Sequence, residues 1–154
     1  MHTVNSKLNL PRLTVAAVIP DGDRYLLVEE RIDGRAVLNQ PAGHLDCNES
    51  LLDAVIRETL EETAWHVRPL GMIGIHQLLL PKLHFVRMSF LCEPLSHDPN
   101  RALDSDIVCT HWLTRDQIIN HALPQRSALV LRCIDDHRSG RLWPLEQIVE
   151  PFHG

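Results

Sequence analysis

Apolar residues along this chain come in short runs separated by turn-forming clusters, and the period of the pattern changes once, sharply, near residue 50. Residues 13–19 and 25–29 are rich in β-branched and other apolar side chains and are separated by Asp21-Gly22-Asp23. This predicts two strands joined as a hairpin. Residues 31–35 read as a loop, residues 37–40 as a short strand, and Pro41-Ala42-Gly43 as the break that ends it. From Ser50 onward the spacing turns helical, with Leu52, Ile56, Thr59, Leu60 and Thr63 on one side. Asn48 or Ser50 can cap this helix, and Ser50 with Asp53 looks like a capping box with the shorter acid. Residues 65–67 and 71–80 are extended, Pro81-Lys82 turns the chain into a strand over 85–93, and 96–102 is a loop. The last strand covers 107–113; Thr114 caps a short helix over 115–120, and Ser127 caps a longer one ending near Gly140. A tail beginning at Leu142-Trp143-Pro144-Leu145 is expected to pack on the body. Strands interleaved with helices that each bury one apolar face predict an α/β chain, with sheet layers between helices.

One helix departs from that economy. At roughly 100° per residue, Glu58, Glu61 and Glu62 share a sector about 100° wide near its end, and like charges so spaced destabilise a helix by a few tenths of a kcal/mol per pair. A bound divalent cation removes the conflict. Magnesium takes hard oxygen ligands and is held by a few carboxylates together with substrate phosphates, so the stripe reads as a site for Mg²⁺ and a phosphorylated ligand. Arg57 lies one turn before Glu61 and can fix the orientation of a ligand carboxylate. The competing reading is a solvated acidic face.

The residues around the stripe bear on that choice. Gly43, Glu49, Arg57, Glu58, Glu61 and Glu62 stand at the spacing of the Nudix box, which residues 43–65 resemble. Thr59 and Trp65 replace aliphatic residues of the pattern, and Ala64 replaces its closing glycine, where the family often needs a left-handed backbone. The resemblance implies an α/β/α sandwich with a mixed sheet and hydrolysis of a phosphoanhydride with Mg²⁺, or Mn²⁺ in its place. It further implies that Glu58, Glu61 and Glu62, with Gly43, hold the metal, that Arg57 orients them, and that Glu61 or Glu62 also accepts a proton from water. Glu49 is then a further ligand or a support for the loop, and Asp104 and Asp106 are alternative bases. The runs 39–45, 104–106 with His111-Trp112, and 144–146 are similar to a subgroup of bacterial phosphatases within that family. For that subgroup the implied substrates are nucleoside di- and triphosphates or the pyrophosphates of thiamine and its pyrimidine precursor, with orthophosphate released. Two rivals stay open: release of pyrophosphate from a nucleoside triphosphate or cleavage of a nucleotide sugar, and a non-catalytic nucleotide-binding module, whose expected sign would be loss of box glutamates.

Composition narrows the remaining classes. With 44% hydrophobic and 23% charged residues over 154 positions, the chain is expected to form one domain, 1–154. A net charge of −5 offers no basic footprint for nucleic acid, and apolar runs such as 75–80 are interrupted by polar residues, which argues against membrane spanning and secretion. Cys47, Cys92, Cys109 and Cys133 form no closely spaced pair and read as reduced thiols of a cytoplasmic protein. The ten histidines are scattered. Arg12, Arg35, Arg87 and Arg126 are candidates to hold distal phosphates of a small substrate. Tyr25, Phe85, Trp112 and Trp143 could stack on its ring or serve the core. Both a monomer and a homodimer fit this composition.

Overall fold

The computed structural model describes residues 10–149 and 151–154. Two sheets are built from eight strands. The first runs β5 (Ala42–His44), β1 (Arg12–Val18), β7 (Leu83–His97), β6 (Trp65–Leu80), with β1 parallel to β7 and the other pairs antiparallel. In the second, β3 (Arg24–Ile32) pairs antiparallel with β2 (Pro20–Asp21), β4 (Arg35–Asn39) and β8 (Ile107–Thr114). Helix α1 (Leu51–Thr63) covers one side, and α2 (Arg115–Ile119) and α3 (Leu129–Arg138) cover the other.

This layering explains why the strands read as continuous apolar runs rather than alternating ones. Leu26 joins Ala54 and Val55 of α1 in one core, while Tyr25 and Leu27 join Ile118 of α2 and Val130, Cys133 and Ile134 of α3 in the other. Leu26 and Leu27 are both fully buried, and each such burial contributes roughly 1.5–3 kcal/mol. The architecture is the expected α/β/α sandwich with a mixed sheet. Among the described residues no helix is long and apolar enough to cross a membrane.

Several local expectations need correction. The first hairpin is confined to Pro20-Asp21 against Arg24-Tyr25, with Leu26 N on Ile19 O at 3.0 Å; at Ile19 the chain leaves β1, which lies parallel to β7, for the second sheet. Val15 to Val18 are four consecutive buried residues, the mark of a central strand covered on both faces rather than of a hairpin arm. The segment 31–35 is no open loop: Asp33 and Gly34, at φ 49° and 77°, make a two-residue turn between β3 and β4, and Asp-Gly is the pair such a turn favours. Strand β7 runs on through His97, and β6 is one strand with irregular register near Pro69 and Met72.

Helix α1 begins as read, with the Ser50 hydroxyl accepting from Asp53 N at 3.0 Å. Its buried face is rotated from the expected one. Ala54, Val55, Thr59, Glu62 and Thr63 are buried, whereas Leu52, Ile56 and Leu60 are only half-buried. The small side chains at 54 and 55 let the helix approach β1 closely, and the Thr59 and Thr63 hydroxyls are satisfied by donating to Val55 O and Thr59 O at 2.7 and 2.6 Å. The rotation carries Glu62 inward. Ala64 ends the helix at φ 58° with its N–H on Leu60 O, a left-handed conformation that costs a non-glycine residue about 1 kcal/mol. The cap position of α3 is Ala128 rather than Ser127, whose hydroxyl sits one residue earlier and accepts from Leu129 N at 3.2 Å. The tail packs as expected: Trp143 and Met72 exchange backbone hydrogen bonds, and Leu145 and Ile148 join the α1 core.

Candidate active site

Arg57 is the hub of the acidic helix. Its Nε and Nη2 donate to the two Glu49 carboxylate oxygens at 2.6 and 3.0 Å, a bidentate pair. Nη1 donates to Glu58 Oε1 at 2.9 Å and Glu61 Oε2 at 3.1 Å, and Nη2 reaches the backbone carbonyl of His44 at 3.1 Å. One guanidinium thus fixes three carboxylates and ties α1 to the end of β5. The hydrogen bond from Arg57 holds Glu49 below the usual carboxylate range, and Glu49 Oε2 also accepts from Asp46 N at 3.0 Å. Glu49 is therefore committed to the loop and to Arg57.

The other acids sit in a different environment. Burial pushes the Glu58 carboxyl up, against the opposing pull of Arg57. Glu62 is 7% exposed, and burial drives its pKa up to about 9 despite the hydrogen bond from Ala42 N at 3.0 Å. A carboxylate so desolvated is costly unless a cation shares the site. Gly43 is where these groups meet the surface, because a Cβ there would overlap the Glu58 carboxylate carbon and both its oxygens. Only glycine admits that carboxylate against the backbone. Glu58 and Glu61 turn carboxylate oxygens to Arg57 and Glu62 turns one to Ala42 N, so the helix offers hard oxygens only, the donor type that suits magnesium or manganese.

Ala42 and Gly43 also form one wall of a cleft of about 680 Å³. Arg87 and Arg126 line it, as do Glu30, Asn39, Asp106 and an apolar wall of Leu78, Leu80, Leu83 and Phe85. Arg87 is 7% exposed and is held by Asn39 Oδ1 and Gln40 Oε1 at 3.1 and 3.2 Å; burial lowers its pKa, so an anion in the cleft would be favourable to it. Arg126 stands 3.4 Å from Glu30. Asp104 donates its N–H to Glu61 O at 3.0 Å and lies close enough to Glu58 and Glu62 to raise both.

Two expected phosphate-binding residues lie elsewhere. Arg12 lines a separate hollow with its guanidinium 6.0 Å from the Phe85 ring, and Arg35 is exposed at the β3–β4 turn and does not line the cleft. Of the four aromatic candidates only Phe85 reaches the cleft. Trp112 packs edge-on to Trp65, Tyr25 hydrogen-bonds His137 at 2.9 Å, and Trp143 lines a hollow beside α3. Sequence reading missed Glu30, whose only signal was a pair of acids, Glu29-Glu30, ending an apolar strand. It also missed the leucine wall, which local pattern cannot distinguish from core.

Known proteins similar to this chain identify its family and fold. The NUDIX domain family model matches residues 10–132. Phosphatase NudJ of Escherichia coli K12 is 41% identical over 139 residues, covering 90% of each chain. A NUDIX hydrolase from Nitrosomonas europaea superposes with a TM-score of 0.88 at 40% identity, over 93% of this chain and 98% of that one. An ADP-ribose pyrophosphatase from Streptococcus suis shares the fold at a TM-score of 0.66 and 24% identity, over 87% and 96% of the two chains.

Proposed function

Since the chain belongs to the Nudix hydrolase family, we propose that it is a Mg²⁺-dependent phosphatase that cleaves a phosphoanhydride bond in nucleoside di- or triphosphates or in thiamine-pathway pyrophosphates and releases orthophosphate. The observation that carries this reading is the placement of the Glu58 and Glu62 carboxylates against Ala42-Gly43, on the wall of a cleft that also presents Arg87 and Arg126. Glu58, Glu61 and Glu62, with the Gly43 carbonyl, would hold the metal, Mg²⁺ or Mn²⁺. Held there, such an ion would supply charge neutralisation and a more acidic water.

The chain's own residues do the rest. Arg57 restrains Glu58 and Glu61, each through one carboxylate oxygen, and leaves the other oxygen of each for the metal. Arg87, pre-aimed by Asn39 and Gln40, and Arg126 take the distal phosphate, while Phe85 and the leucine wall exclude water and accept the ring. The proton of the attacking water goes to a carboxylate of this group. Glu61, Glu62, Asp104 and Asp106 are the candidates, and the base is the one whose amide variant loses kcat with KM unchanged together with the acidic limb of the pH profile.

The relative named NudJ favours terminal phosphate release, and the alternative outcome is pyrophosphate release from a nucleoside triphosphate or cleavage of a nucleotide sugar. All box glutamates are present, which disfavours a non-catalytic nucleotide-binding module. The four free thiols suit a reducing compartment, the cytoplasm, where the protein acts on small phosphorylated molecules as a monomer or homodimer. Phosphorus NMR of products from GTP, GDP, thiamine diphosphate and an ADP-sugar, with Mg²⁺ and then with EDTA, tests the proposal. Orthophosphate from the first three, abolished by EDTA, is expected; pyrophosphate or sugar-nucleotide cleavage alone would overturn the phosphatase assignment, and no turnover would overturn the enzyme.

A further inference from the structure

Glu29 is followed by Glu30, and the two point to opposite faces of β3. Glu30 lines the cleft; Glu29 lies on the face of Tyr25 and Leu27, in register with Cys109 of β8. Cys109 and His111 are two apart on that strand and so share its face. The three ligand-capable atoms converge. His111 Nε2 is 3.1 Å from Glu29 Oε2, Cys109 Sγ is 3.4 Å from the same oxygen, and Sγ and Nε2 are 3.4 Å apart. All three residues are half-buried. His121, just beyond α2, lies edge-on to His111 with ring centroids 5.6 Å apart.

These spacings are those of a metal's coordination sphere. With metal distances of about 2.3 Å to sulfur, 2.0–2.1 Å to imidazole nitrogen and 2.0–2.2 Å to carboxylate oxygen, tetrahedral donors stand roughly 3.3–3.6 Å apart. The observed triangle needs to open by only a few tenths of an ångström. The geometry points to a second metal site, distinct from the acidic helix, in which Glu29, Cys109 and His111 bind a borderline-soft divalent ion of the zinc type. Three protein ligands leave the fourth position to water or a small ligand.

Donor chemistry separates the two sites. Thiolate and imidazole select zinc or cobalt over magnesium, whereas the helix offers oxygens only. Without a metal the same three side chains form a hydrogen-bonded cluster, the Cys109 thiol donating to Glu29 Oε2 at 3.4 Å, and metal binding would replace the thiol proton. The hydrolytic reaction uses none of the three.

The test is a Co²⁺ titration of the full chain with Mg²⁺ in large excess to occupy the oxygen-only site. The expected result is a thiolate-to-cobalt charge-transfer band that saturates at one ion per chain and is displaced by Zn²⁺. The band disappears in Cys109→Ser, and His111→Ala weakens Co²⁺ binding by more than the roughly 10–100-fold that loss of an outer-shell partner costs. It survives in Cys47→Ser and in Glu61→Gln. Circular dichroism checks that each variant is folded, and His111→Gln replaces any that is not. Absence of the band in the wild-type chain, or a band that survives Cys109→Ser and vanishes with the exposed thiol in Cys47→Ser, would overturn the site.

Discussion

Glu62 shows most directly how burial and charge are set against one another at the level of a single side chain. Its carboxyl is driven up to about 9 by burial, so without a cation it is largely neutral at pH 7. Glutamine has the shape of that neutral acid. Glu62→Gln should therefore leave the metal-free melting temperature unchanged or slightly higher while turnover falls by about 10²–10⁴-fold, read by calorimetry and steady-state kinetics on one preparation. Gly43→Ala should behave differently, because the added methyl displaces the Glu58 carboxylate. Activity should be lost with a stability cost of about 1–3 kcal/mol, since the displaced carboxylate must also give up its hydrogen bond from Arg57. The acidic stripe and Arg57 were legible as charges at fixed spacing. The burial of Glu62 was not, because the helix face was placed on Leu52, Ile56 and Leu60, and the small Ala54 and Val55 that bring α1 onto the sheet gave no comparable signal. Arg87 and Arg12 look alike in sequence, for nothing local says which arginine turns inward.

Between elements, α3 is pinned to β6 through His76 and Asp136, whose Nε2 and Oδ2 are 2.8 Å apart with both side chains 10% exposed. The Cys133 thiol and the Asp136 carboxylate raise the His76 pKa above the ordinary 6.5, against the opposing effect of burial. That contribution is complete below about pH 6.5 and is lost as pH rises through the higher folded value. Burial acts to raise the Asp136 pKa, but hydrogen bonds from His76 and Arg132 hold it below 3.8 overall, so its share is present above that value and is lost as pH falls through the depressed one. Denaturant unfolding should show the pair strongest from about pH 4 to 6.5. Asp136→Asn should cost about 1.5–3 kcal/mol there, and His76→Ala should flatten the alkaline decline. At the exit of α1, Ala64→Gly should gain about 0.5–1 kcal/mol by relieving the left-handed alanine, or about 1–4 °C in Tm. The need for a left-handed residue there was readable from the box. The pairing of β1 with β7 was not, because two strands so distant in sequence leave no local mark of each other.

For the molecule as a whole, 20 acids against 15 bases and several carboxylates gathered on one helix mean that a cation should stabilise the entire fold. An ion that binds only the native state adds RT ln(1 + [L]/Kd), about 2.7 kcal/mol at a hundredfold excess over Kd. Mg²⁺ should raise Tm in a concentration-dependent way, with the shift much reduced in Glu58→Gln; an equal shift in that variant would remove the helix from the metal site. Alternating strands and helices told the class of architecture, yet the cleft arises only where residues of both sheets and the start of α3 converge. The parallel register of β1 and β7, from Arg12 opposite Phe85 to Val18 opposite Leu91, carries a consequence in time. Loops that long must close before their contacts reward them, so such pairings form slowly. A nascent chain can wind its acidic helix early, but it has no floor beneath Gly43 until β7 has been synthesised and slotted beside β1, and no N-terminal fragment that stops short of that strand can be catalytically competent.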